Sequence, residues 1–228
     1  MRIAAIAAIL LFVAGCAASA DHQSHDAAGA VTAESSRTST AATTTAKSGP
    51  PKPGTPIKEF AAWVQAGTAV DAASYGTVRP SDGGPTQLQS DDRAFVSPTG
   101  KIKCTSDYQD QIRGLSCLVE LKNPPQRPVD DVGHWVGGWV DFPGSELTVG
   151  SFHGDPGPFL RGDGAQLGYG SRITVHDFVC RMDTTGLYCV DPTNRAGVQL
   201  SDAGVVAFGC LRERAANKDE TYGLIYGC

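Results

Sequence analysis

The sequence predicts a mainly β fold: a disulfide-bonded antiparallel sandwich or barrel-like sheet with one or two short N-terminal helices. Three observations predict it. After residue 85 the chain breaks into short runs rich in Val, Ile, Phe, Tyr and Trp, punctuated by Gly, Pro, Asn and Asp, the pattern of many strands joined by turns. Six cysteines, an even number, lie between residues 104 and 228, as in an exported domain framed by disulfides. A single helical periodicity precedes both features.

That helix comes first in the chain. Ile57, Phe60, Ala61 and Val64 recur at helical spacing, with Trp63 beside the same face. Pro56 can open the helix and Gly67 stops it. A second short turn is expected over 70–75. The strand candidates are "AFVSP", "KIKCTS", "LSCLVEL", "HWVGGWVDF", "ELTVGSF", "RITVHDFVCRM", "LYCVD" and "GVQLS". Among them is a weak repeat: "IKC" leads to "GLSC" and "FVC" leads to "GLYC". Two copies suit a duplicated hairpin better than a solenoid, which needs at least three.

Six cysteines allow 15 connectivities. The repeat narrows them. Cys180 and Cys189 oppose one another if Thr184-Thr185 forms an even-membered tip, and Cys104 and Cys117 do so across an even loop. Cys210 and Cys228 remain, and their bond ties down the C-terminus. A 14-residue closed loop is worth roughly 3 kcal/mol in the chain-entropy account. Zinc instead wants clustered Cys-x-x-Cys spacing, which is absent from the sequence.

The N-terminus sets the expected address. Met1-Arg2 is followed by eleven apolar residues, Ile3 to Val13. Crossing a bilayer takes about 20, so the segment reads as a secretory signal peptide. Val13-Ala14-Gly15-Cys16 resembles the lipobox of bacterial lipoproteins, which implies a signal peptide over 1–15, cleavage before Cys16 and acylation of its thiol. Two or three acyl chains, at about 0.8 kcal/mol per buried methylene, anchor stably. Residues 16–56 then form the lipidated Cys and a disordered Ala/Ser/Thr/Pro tether, with an r.m.s. reach on the order of 35 Å. Residues 57–228 form one β-rich, disulfide-stapled domain. Loss of Arg2 with the signal peptide leaves 18 basic and 24 acidic residues, a formal charge of −6. This acidic balance argues against nucleic acid as a partner.

The phrases "FVSPTGKIKC", "GLSC", "YG" before "FVC", "GLYC" and "GVQLS" resemble a group of secreted actinobacterial proteins. Those share Phe-x-Ser-Pro-Ser-Gly-Asn-Ile-x-Cys, Gly-x-Phe-x-Cys and Gly-Val-x-Cys. The helix-first layout behind a lipobox is similar to mycobacterial lipoproteins of the LppI kind, whose function is unknown. The likeness covers about residues 57 to 210, with Lys101 where the group often has Asn and Val198 where it often has an aromatic. It implies export, disulfides and β structure, and supplies no catalytic residue.

For chemistry, the chain lacks Gly-x-Ser-x-Gly, Ser-x-x-Lys, His-Glu-x-x-His and phosphate-loop motifs. No cofactor and no metal is expected. His22 and His25 in the tether are too few ligands for a metal. The best polar constellation is Asp130, Asp131, His134, Asp141, His153, Asp155 and Asp163, an acid–base or metal set if the loops converge; solvated turn carboxylates are the plainer reading. Arg161-Gly162-Asp163 is read as coincidence. In "HWVGGWVDF", Trp135, Gly137 and Trp139 share one strand face. Two indoles about 13 Å apart over a flat glycine would form a ligand platform. The competing expectation makes the Trp face core. The reading is of a noncatalytic envelope lipoprotein, held on the extracytoplasmic face by its lipid and binding a protein, glycan or lipid. The alternatives are an envelope hydrolase or metal-dependent enzyme using the His/Asp set, and a lipid or glycan carrier with a cavity.

Overall fold

The computed structural model describes residues 49–106, 114–128 and 133–228. The chain divides into two units, Met1–Thr45 and Ala46–Cys228, and the described residues all belong to the second. Cys16 and most of the tether lie outside them. In order come α1 (Ile57–Gln65), β1 (Thr68–Ala69), a 3-10 turn (Ala72–Tyr75), β2 (Thr77–Val78), β3 (Thr86–Gln87), β4 (Ala94–Val96), β5 (Ile102–Thr105), β6 (Leu115–Val119), β7 (His134–Phe142) and β8 (Glu146–His153). A second 3-10 turn (Gly157–Arg161) leads to β9 (Ala165–Gln166), β10 (Ser171–Val175), β11 (Phe178–Asp183), β12 (Gly186–Asp191), β13 (Ala196–Ser201), β14 (Gly204–Gly209), β15 (Arg212–Arg214) and β16 (Leu224–Gly227).

Two open sheets make the sandwich. One is six-stranded, an antiparallel meander from β10 to β14 with β1 added in parallel along β10. The other is eight-stranded, in the order β15-β16-β8-β7-β6-β5-β4-β9. Alternate residues of each strand point inward. Phe95, Leu115, Val140, Phe142 and Leu147 of the larger sheet share one buried cluster with Ile173, Phe178, Met182, Leu187 and Val198 of the smaller. Phe142 and Phe178 meet edge-on across the gap, centroids 5.3 Å apart.

The repeat contributes one hairpin to each sheet. Cys104 pairs in register with Cys117, and Cys180 with Cys189. Both pairs are disulfide-bonded, and all four sulfurs lie in the shared core. The Thr184-Thr185 tip gives the second hairpin its two-residue loop, since Asp183 pairs with Gly186. Cys210–Cys228 is the third bond, joining the residue after β14 to the residue after β16.

Helix α1 lies on the outer face of the six-stranded sheet. Phe60, Trp63 and Val64 bury against Val179, Tyr188, Val190 and Phe208. Gly197 makes the close approach possible: a Cβ there would sit 2.7 Å from the Phe60 ring.

Three local readings differ from the structure. "RITVHDFVCRM" is two strands, because His176 takes a positive φ of 49° and with Asp177 forms a tight turn between β10 and β11; His-Asp is not among the usual turn pairs. Strands β14 to β16 follow the last strand read from sequence. β16 is held between β15 and β8, a pairing with distant residues that no local pattern signals. The described chain also has a turn before residue 57: Thr55 donates its amide to the Lys52 carbonyl at 3.0 Å.

Candidate functional site

Two places outside the core gather polar side chains. The first is the outer face of the eight-stranded sheet. Val140 and Phe142 of β7 take the inner face, so alternation turns Trp139 and Asp141 outward. The strand registers then align Thr105, Ser116, Asp141 and Thr148 as direct neighbours across four strands. The two threonines and the serine are buried.

Asp141 is the centre of this row. Its carboxylate accepts the Ser116 hydroxyl at 2.6 Å and the Trp139 indole N–H at 2.9 Å. Burial pushes the Asp141 carboxyl above its ordinary value, and these two donors partly offset the shift. His153 stacks on Trp139: its imidazole lies against the indole, centroids 3.5 Å apart. Burial lowers the pKa of His153, and the Asp155 charge opposes this. Ser151 Oγ hydrogen-bonds His153 Nε2. Phe159, from the second 3-10 turn, closes over Trp139 edge-on at 5.2 Å. Gly150, at φ 77°, breaks the regular pleat of β8, and the β7–β8 register shifts between Val136 and Val140. That irregularity brings His153 to the Trp139 side.

The sequence candidates distribute as follows. His134 and His153 are cross-strand partners, with His134 exposed. Asp155 caps its own turn, accepting the Gly157 amide at 2.7 Å. Asp163 is elsewhere, paired with Lys103 at 2.8 Å. His176 pairs with Asp92. Asp130 and Asp131 lie outside the described residues. Among the described residues no three His, Cys, Asp or Glu side chains group closely enough to hold a metal.

The Trp expectations need correction in part. Trp139 is only 1% exposed and Trp135 is half-buried against Phe152, centroids 5.0 Å apart. They do not form an open two-indole platform. Trp139 is buried, as the core expectation has it, but away from the Val140 and Phe142 cluster; the β7–β8 irregularity puts Trp135 on the other side of the strand, beside its cross-strand partner Phe152. Trp139 is buried because a turn covers it from outside. Gly137 leaves room not for a core side chain but for Pro124, 2.8 Å from where its Cβ would stand.

The second polar place is a solvent-open cleft of about 300 Å³ at one end of the sandwich. It lies where turns from both sheets meet: the β4–β5 turn with Ser97, Thr99 and Lys101, the β11–β12 tip, and the β13–β14 turn with Asp202. Tyr169 stands on its rim, 46% exposed. Ile102 and Met182, both buried, floor it. Asp202 is held by Lys101 and Lys122, each at 3.2 Å, and these partners pull its carboxyl below the usual range. A larger groove, about 640 Å³, occupies the opposite end of the six-stranded sheet and is lined by Gly54 to Ile57, Arg195, Cys210 and Cys228 among others.

Sequence reasoning missed Ser116, Ser151, Phe159, Tyr169 and the two clefts. A lone polar residue inside the apolar run "LSCLV" was the available sign for Ser116. The clefts carry none, since their residues come from turns far apart in the chain. Comparisons with protein-family models, with curated proteins and with solved structures each returned no match.

Proposed function

We propose that this protein is a noncatalytic binding module of the bacterial cell envelope, tethered to the extracytoplasmic face of the membrane through lipidated Cys16. One observation carries the binding half of this reading. The chain enters the domain at Gly54 to Ile57, beside the β12–β13 turn, while the polar cleft sits at the far end of the same strands. Six-residue strands separate the two ends by about 20 Å. The described chain therefore enters the domain away from the cleft. Three disulfides in one domain suit an oxidising compartment outside the cytoplasm. The short apolar leader ending in Cys16 supplies the anchor; no helix among the described residues is long and apolar enough to cross a membrane.

The test is crosslinking of the lipidated protein in its own envelope, followed by mass spectrometry. Crosslinks should concentrate on Lys101 and Lys122 at the cleft end. Crosslinks confined to Lys58 or Lys218 would defeat the assignment. Cys16→Ala should leave an uncleaved precursor or release the protein from membranes; a mutant still processed and partitioning into detergent would defeat the anchoring.

A second reading, an envelope hydrolase, is favoured by one observation: the Asp141 carboxylate and the His153 imidazole meet on one indole, an acid–base pair in residue type. Phe159 covers that indole, so substrate would have to displace the turn. Retained hydrolysis of envelope material by wild type and its loss in Asp141→Asn would favour this reading over the first.

A further inference from the structure

We propose that the cleft at the hairpin-tip end binds a neutral glycan, which deepens the binding-module reading above and rests on it. Sugar rings present hydroxyls on their edges and a C–H patch on each face. A site for them needs fixed donors and acceptors in number, and an aromatic or apolar surface for the patch. The cleft has both. Its walls bring together hydroxyls of Thr99, Thr184, Thr185 and Ser201 with the Gln199 amide and the Asp183 carboxylate. Its floor is Ile102 and Met182, and Tyr169 stands exposed beside them.

These groups are pre-oriented. Asp183 accepts the Thr185 amide at 3.1 Å and the Thr185 hydroxyl at 2.8 Å. Gln199 Nε2 donates to the Thr185 carbonyl at 3.1 Å, leaving its Oε1 side for a ligand. Ser97 and Thr99 hydrogen-bond one another at 3.2 Å. Ordering these side chains in advance lowers the entropy lost on binding. Charge favours neither sign of ligand: Lys101, Lys122 and Asp202 together leave one positive charge, and the Asp183 carboxylate in the same cleft offsets it. A neutral polyol needs no net charge.

The experiment uses the full lipidated chain in zwitterionic detergent micelles. Saturation-transfer NMR is read on maltopentaose, mannopentaose and cellopentaose, with a galacturonate pentamer as the acidic probe. The expected result is transfer to at least one neutral pentamer and none to the acidic one. Tyr169→Ala should weaken that binding at least tenfold, and Leu160→Ser, on the exposed second 3-10 turn, should leave it unchanged. Thr184→Lys, which fills the cleft from an exposed tip, keeps the test decisive if Tyr169→Ala does not fold. No transfer to any neutral pentamer, binding indifferent to both cleft variants, or preference for the acidic pentamer would overturn the proposal. Crosslinks at Lys101 and Lys122 to an envelope protein, without sugar transfer, would overturn the glycan and leave the display reading standing.

Discussion

The two outer faces of the sandwich are closed in opposite ways. On the six-stranded sheet, one amphipathic helix seats Phe60, Trp63 and Val64 on an apolar floor. Arg181 lies over the Trp63 ring, 3.8 Å from its centroid, and donates to the Trp63 carbonyl at 2.7 Å. On the eight-stranded sheet the floor is a polar row, Thr105, Ser116, Asp141 and Thr148. A five-residue 3-10 turn and one histidine cover the indole beside it. Apolar closure needs only complementary shape. Polar closure needs every donor and acceptor matched, because an unpaired buried polar group costs more than a made hydrogen bond returns. The second face is therefore the more sensitive to single chemical changes at constant volume.

Two truncations probe the packing that both faces share. Phe60→Ala and Trp139→Ala each remove a large buried ring and should cost roughly 3–5 kcal/mol, measured by denaturant melts of the oxidised protein. A far smaller loss for Trp139→Ala would mean that the 3-10 turn collapses onto the gap, and that the polar face is the more plastic of the two.

The next effect separates the faces by chemistry. Asp141→Ala removes the carboxylate that accepts from the Ser116 hydroxyl and the Trp139 N–H, at about 1–3 kcal/mol. Asp141→Asn, which keeps an acceptor, should recover part of this. Equal losses for the two variants would show that the charge, not the hydrogen bonds, is what the row requires.

The pH dependence is smaller and has a definite sign. The folded state raises the Asp141 pKa above 3.8. The stability it contributes is full below that value and is lost as pH rises through the folded pKa. His153 is lowered from 6.5. Its neutral form is favoured by folding, so that contribution is full above 6.5 and is lost as pH falls through the lowered folded pKa. Relative to wild type, Asp141→Asn should gain stability as pH rises above 3.8, and His153→Gln should lose less as pH falls below 6.5. Melts from pH 3 to 8 read both slopes. Parallel curves for Asp141→Asn and wild type would mean that the carboxyl is effectively solvated.

The smallest effect tests the cover. Leu160 is 61% exposed on the same turn as Phe159. Leu160→Ser should change stability by no more than about 0.5 kcal/mol, whereas Phe159→Ala should loosen Trp139 and raise its fluorescence accessibility to iodide. Similar quenching in both variants would show that Phe159 does not shield the indole.

What could be read locally was what local spacing controls. The 3.6-residue period of Ile57, Phe60 and Val64 specified α1, and short β-rich runs between turn residues specified most of the sandwich. The Cys-containing repeat placed a hairpin in each sheet, because cysteines an odd number of residues apart face one another across an even connection, a two-residue tip in one hairpin and a longer one in the other. Tertiary structure decided the rest. Alternation alone would put Trp135 and Trp139 on one side of β7, but the register shift between Val136 and Val140 sends Trp135 to the Phe152 side and Trp139 to the His153 side; which side meets the other sheet was settled by the volume of Val140 and Phe142 against Phe178. The union of Asp141, Ser116 and His153 needed register across β6, β7 and β8 and the left-handed Gly150. The cleft needed the β4–β5 turn of one sheet to meet the β11–β12 and β13–β14 turns of the other. Periodicity carries information about one strand's faces; which distant strands those faces and turns meet is fixed only when the two sheets pack.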